Sequence, residues 1–98
     1  MNFEEFQHSL QSPTPPTGLT AALRALWYEG KDDWEKAHQI AQDDESAAGS
    51  WVHAYLHRKE GDLGNAAYWY RRAAQPTASG PLRTEWELMV RDLLMKSN

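Results

Sequence analysis

Apolar residues along this chain recur at helical spacing, and no stretch alternates as a strand would. Phe3, Phe6 and Leu10 share one face of a short segment over residues 2–11. Asn2 is placed to cap it, and Glu5 to reach back as a capping box. The run Ser12-Pro13-Thr14-Pro15-Pro16-Thr17 then excludes helix, because proline lacks an N–H and biases the residue before it to extended geometry. An Ala/Leu-rich helix is predicted from Gly18 to Glu29, with Thr17 as cap and Gly30 as stop. Asp32, with Glu35 as capping-box partner, is expected to start the next helix, which runs to about Gln42. The acidic turn Asp43-Asp44-Glu45-Ser46 leads into a helix over about 47–60, ended by Gly61 in a left-handed conformation. Asp62 caps a helix from Leu63 to Gln75, closed by Pro76. After a polar loop, the last helix covers about Leu82 to Lys96 with Trp86, Met89, Val90 and Leu93 on one face.

Those elements make one all-α domain: an N-terminal helix, a proline-rich linker over 12–17, four core helices over 18–76 and a final helix over 82–96. At 98 residues the chain is well below the roughly 250 at which cores divide. An internal repeat suggests how the helices pack. Residues 25–37 superimpose on 54–66 with an offset of 29, so that Ala25 matches Ala54, Asp33 matches Asp62 and Ala37 matches Ala66. Each copy is a helix, a tight turn and a second helix with small residues where two rods approach closely. Neither copy buries its apolar face alone.

This pattern resembles the tetratricopeptide repeat and the related Sel-like repeat. Gly61-Asp62-Leu63 followed by Ala66, Tyr70 and Ala73 fits the turn and second helix of the former. Ala66-Ala67-Tyr68-Trp69-Tyr70-Arg71-Arg72-Ala73-Ala74 is similar to the A-x-x-W-Y-x-K-A-A ending of the latter. Asp33-Trp34-Glu35-Lys36-Ala37 looks like the G-D-Y-E-K-A element, with Asp32 where glycine is usual. The stretch from Trp51 to Asp62 also resembles a small group of uncharacterised bacterial proteins. The resemblance implies two antiparallel helical hairpins with a C-terminal capping helix. Arg24 and His53 depart from it, occupying positions where a large apolar residue is usual.

Composition narrows the function. A net charge of −4 argues against nonspecific nucleic-acid binding. The charge divides unevenly, −6 over residues 1–50 and +2 over 51–98, which fits solvated helix faces. With no cysteine, there is no disulfide, thiolate metal site or thiol nucleophile. The opening Met-Asn-Phe-Glu-Glu has acids where a secretion signal carries bases, and no apolar run suits a membrane. The expectation is a cytoplasmic protein without a membrane partner.

Nothing pairs a nucleophile with a base, so the chain is read as a non-catalytic module for protein or peptide contact, self-association included, needing no cofactor. Five tryptophans and four tyrosines are many for this length, and such side chains anchor interfaces. By its resemblance, the first helix of the second hairpin lines a groove, which makes Trp51, Tyr55, Arg58 and Lys59 the expected contacts. Trp69 and Arg72 join them as an aromatic–arginine pair able to meet an anion. The Asn/Lys pattern that clamps a peptide carboxylate in some tetratricopeptide proteins is missing, which disfavours a chaperone-tail adaptor. Gly61-x-x-Gly64 lacks the lysine and hydroxyl of a phosphate loop. The alternative is a small-ligand, anion or metal-binding protein using His53 and His57, four apart on one helix face. Against ligation stands the repeat, which places His57 opposite a packed position, Tyr28.

Overall fold

A computed structural model describes residues 1–96 and shows six helices, with no strand among them. They are α1 (Phe3–Ser9), α2 (Ala21–Gly30), α3 (Trp34–Gln42), α4 (Ala47–Lys59), α5 (Leu63–Arg72) and α6 (Leu82–Lys96). The all-α reading holds, and α6 has the bounds its sequence predicts. The α1 capping box forms in both directions: the Glu5 N–H donates to Asn2 Oδ1 at 2.8 Å and the Asn2 N–H to Glu5 Oε1 at 2.9 Å.

Three boundaries differ from expectation, each where a turn takes a left-handed residue. Gly18 (φ 84°) reverses the chain after the prolines, so Thr20 rather than Thr17 caps α2. Between α2 and α3 it is Asp32 that takes φ 63°, and the cap moves on to Asp33, which accepts from the Lys36 N–H. Gly30 is the last residue of α2 rather than its stop. It packs tightly, since a Cβ there would sit 3.0 Å from both Leu10 and Trp86. Helix α5 ends at Arg72, short of Pro76, because Ala74 turns left-handed at φ 57°.

The three helix exits share one hydrogen-bond pattern. The N–H of Asp33, Asp62 and Gln75 donates to the C=O of Tyr28, His57 and Tyr70 respectively, at 2.9, 2.9 and 3.0 Å. This is the six-to-one closure of a Schellman turn, with Asp32, Gly61 and Ala74 at the left-handed position. The first two lie 29 residues apart, in register with the sequence repeat.

Successive helices pack as pairs, α2 on α3 and α4 on α5, and α3 lies against α4. Ala25, Ala37, Ala54 and Ala66 are all buried in the core. Helix α6 covers α2 and α4, while α1 packs on α6. Trp86 is the centre of that closure: its indole N–H donates to the Leu26 carbonyl at 3.0 Å, and its ring meets Phe3 edge-on at 5.9 Å and Phe6 at 6.1 Å. The phenylalanines thus pack on α6 from across the linker. Lys31 Nζ holds the linker down by donating to the carbonyls of Leu10 and Ser12.

Two buried carboxylates fasten α4 to its neighbours. Glu85 of α6 accepts from Arg58 at 2.9 Å and from the Tyr70 hydroxyl at 2.6 Å, and Arg58 also donates to the Gly80 carbonyl. Glu29 of α2 pairs with Lys59, and burial raises its pKa against the lowering effect of that lysine.

A left-handed alanine costs about 1 kcal/mol relative to glycine. Ala74→Gly should therefore raise the unfolding free energy by about 0.5–1 kcal/mol, and Gly61→Ala should lower it by about 1 kcal/mol, in urea denaturation. Equal midpoints for the two variants would contradict the turn assignment.

Candidate metal centre

Helix α3 opens with Trp34, and His38 stands one turn later on the same face. The Trp34 indole therefore lies flat on the His38 imidazole, with centroids 4.8 Å apart and planes at 9°. Its N–H donates to the Leu56 carbonyl of α4 at 2.9 Å, which fixes the indole at the α3–α4 seam. Across that seam α4 presents His53 and His57, also one turn apart. From the other side, α5 lays Trp69 on His53 with centroids at 4.0 Å and planes at 28°. The result is a block of five rings drawn from three helices.

Its middle is three imidazoles. His38 Nε2 and His53 Nε2 are 3.0 Å apart, and one ring nitrogen from each of His38, His53 and His57 lies within 4.8 Å of the others. His53 and His57 are 5% and 8% exposed, while His38 is half-buried and forms the outer side. The His57 Nδ1–H donates to Glu60 Oε1 at 2.6 Å, so Nε2 is the nitrogen of that ring left to meet a ligand. A carboxylate behind a histidine in this way orients the ring and makes it a better ligand.

Burial lowers the pKa of His53 to about 4, and the potential of His38 and His57 pushes in the same direction. His38 is also lowered, first by burial and then by His57. Both rings are thus uncharged at neutral pH, the form in which imidazole binds a metal.

The spacing suits a small divalent ion. Two nitrogens bound tetrahedrally at about 2.0–2.1 Å lie about 3.3 Å apart. The 3.0 Å pair needs only to open slightly, and the third ring to close in. A second group, His57 with Glu60 and Asp62, shares one member with this cluster. Its carboxylates are exposed, and Asp62 already accepts the Asn65 N–H as the cap of α5.

His53 Nδ1 is buried with no hydrogen-bond partner, and such an orphan costs about 1–3 kcal/mol. A large apolar residue, the usual occupant of that position in the repeat that the sequence resembles, carries no such penalty.

Of the six residues expected to meet a partner, Trp51 and Tyr55 are buried, Arg58 is half-buried and Lys59 is exposed. Trp51 is 7% exposed and Tyr55 3%. Arg58 and Lys59 hold Glu85 and Glu29. The cause is α6, expected as an end cap, which instead lies along α4 and covers the face on which Tyr55 and Arg58 stand. Trp69 and Arg72 border the histidine block: Trp69 is half-buried, and the exposed Arg72 stands 5.3 Å above its ring and 5.9 Å above that of Tyr68. Sequence reasoning finds His53 and His57 but not His38 or Glu60. His38 has one sequence signal, its place beside Ala37 of the repeat seam, four residues after Trp34.

An unfolded chain takes up protons at histidine near pH 6.5, whereas folded His53 resists protonation down to about pH 4. The unfolded state therefore binds more protons between those values, and stability falls as pH drops from 6.5 to 4. The loss from His53 should be on the order of 3 kcal/mol, read as the difference in pH slope between the parent protein and His53→Gln in urea denaturation. Identical slopes would mean that His53 is not buried as a neutral ring. Known protein families, characterised proteins and solved structures offer no match to this chain, so its chemistry is read from its own geometry.

Proposed function

We propose that this protein binds one divalent transition-metal ion of the zinc class through His38, His53 and His57. The observation that carries the reading is the convergence of three buried or half-buried imidazoles from two helices, with ligand nitrogens no more than 4.8 Å apart. Imidazole is a preferred donor for zinc, copper and nickel, and the set contains no thiolate to select softer ions. Glu60 supplies the orienting carboxylate behind His57. Trp34 and Trp69 wall the site with stacked rings.

The ion would bridge α3 and α4, which on the tetratricopeptide-like reading belong to successive hairpins. That reading has its support in the paired helices and in the matching turns at Asp32–Asp33 and Gly61–Asp62. The protein-contact reading draws less support. Trp51 and Tyr55 of its six residues are buried, the half-buried Arg58 and exposed Lys59 are held in ion pairs, and Trp69 and Arg72 stand beside the histidine block.

Zinc titration of the full chain followed by calorimetry should give one ion per chain. A free concentration a hundredfold above the dissociation constant should add about 2.7 kcal/mol to the unfolding free energy. His38→Gln, at the half-buried position, should fold and lose both effects. If zinc, nickel and copper all leave the melting temperature unchanged, the protein is not a metal binder at these residues.

A further inference from the structure

We infer that an ion at His38, His53 and His57 keeps one coordination position for a small exogenous anion. This rests on the metal reading above and adds a second ligand class to the same centre. Zinc-class ions take four donors in protein sites, and a three-ligand set leaves the fourth place to solvent or substrate.

No side chain nearby is free to fill that place. Among the described residues, the only other potential ligands gathered at the cluster are Glu60 and Asp62, which group with His57 alone. Glu60 is bound to Nδ1 of His57. The lone-pair directions of the two nitrogens of one imidazole diverge, so a carboxylate seated at Nδ1 lies outside the sphere of an ion at Nε2. Asp62 accepts the Asn65 N–H at the start of α5. The two indoles that wall the site carry only an N–H donor, and that of Trp34 is already bonded to the Leu56 carbonyl.

Charge and access select the missing ligand. Three uncharged imidazoles leave a divalent ion with its full positive charge next to a largely buried set of rings, and buried charge requires a counter-charge. Entry is from the side of half-buried His38, because His53 and His57 lie deeper. The rings of Trp34 and Trp69 stack directly on His38 and His53, which disfavours a bulky chelator.

Cobalt(II) in place of zinc makes the coordination visible. The full chain loaded with one cobalt should show a tetrahedral ligand-field spectrum, and sodium azide or thiocyanate should change it saturably with one anion per cobalt. Glu60→Gln should weaken cobalt binding by about 10–100-fold yet keep the azide response once loaded, as befits a positioning residue. His38→Gln, checked for folding by its melting curve, should show neither spectrum nor response. A cobalt spectrum indifferent to both anions would leave the metal site standing and overturn the open position. So would a dimer that forms on cobalt addition and is silent to azide, because a second copy would then supply the fourth donor. Failure of cobalt and zinc alike to bind would remove both readings.

Discussion

Helix α4 is enclosed by α2, α3, α5 and α6, and its residues from Gly49 to His57 are all buried. A helix so placed has little solvated face for its polar side chains, yet it buries Ser50, His53 and His57 and carries the half-buried Arg58, with Lys59 exposed at its end. Each polar group brought inside must find a partner or destabilise the fold. The positions of the surrounding helices follow from how those partners are found. Arg58 draws in Glu85 and with it α6, and Lys59 draws in Glu29 of α2. Tyr70 adds α5 to the Glu85 carboxylate, and burial together with that bond pushes its hydroxyl pKa upward, so it remains a donor.

The histidines on the same helix are partnered less completely. His57 has Glu60, and His53 has His38, but His53 Nδ1 is left without a bond. The two cations of α4 are matched by buried acids, as a structural role requires. Its imidazoles are matched mainly by one another, and His53 Nδ1 is the buried ring nitrogen left without a partner.

Much of the scaffold is legible in the chain because its signals are local. Asn2 with Glu5, Asp62 before Leu63, Gly61 at a left-handed turn and the apolar stripe of α6 act within a few residues, and the structure has them where the sequence predicts. Two of the boundaries that moved did so at Asp32 and Ala74, left-handed positions that carry no glycine to announce them, and the third moved at Gly18. What is not legible is tertiary. Spacing on α4 relates His53 to His57, but only the approach of α3 brings His38 to them. Likewise Trp51, Tyr55, Arg58 and Lys59 form an attractive exposed face until α6 is laid over it, and periodicity within α6 gives its apolar side but not the helix that side will cover.

On the metal reading, the same departure from the repeat that weakens the apolar seam between hairpins gives the junction its chemistry. A tetratricopeptide-like stack holds its units together by continuous hydrophobic contact. Here His53 interrupts that contact and faces an imidazole of the preceding hairpin, so the α3–α4 junction is weaker without a ligand than a wholly apolar seam would be. Binding energy at the cluster then adds directly to the stability of that junction, because the ligands come from both sides of it. Elsewhere the two hairpins are tied through α6, which touches both α2 and α4. On that reading a metal at the seam would order the junction, while α6 holds the two helix pairs together beside it.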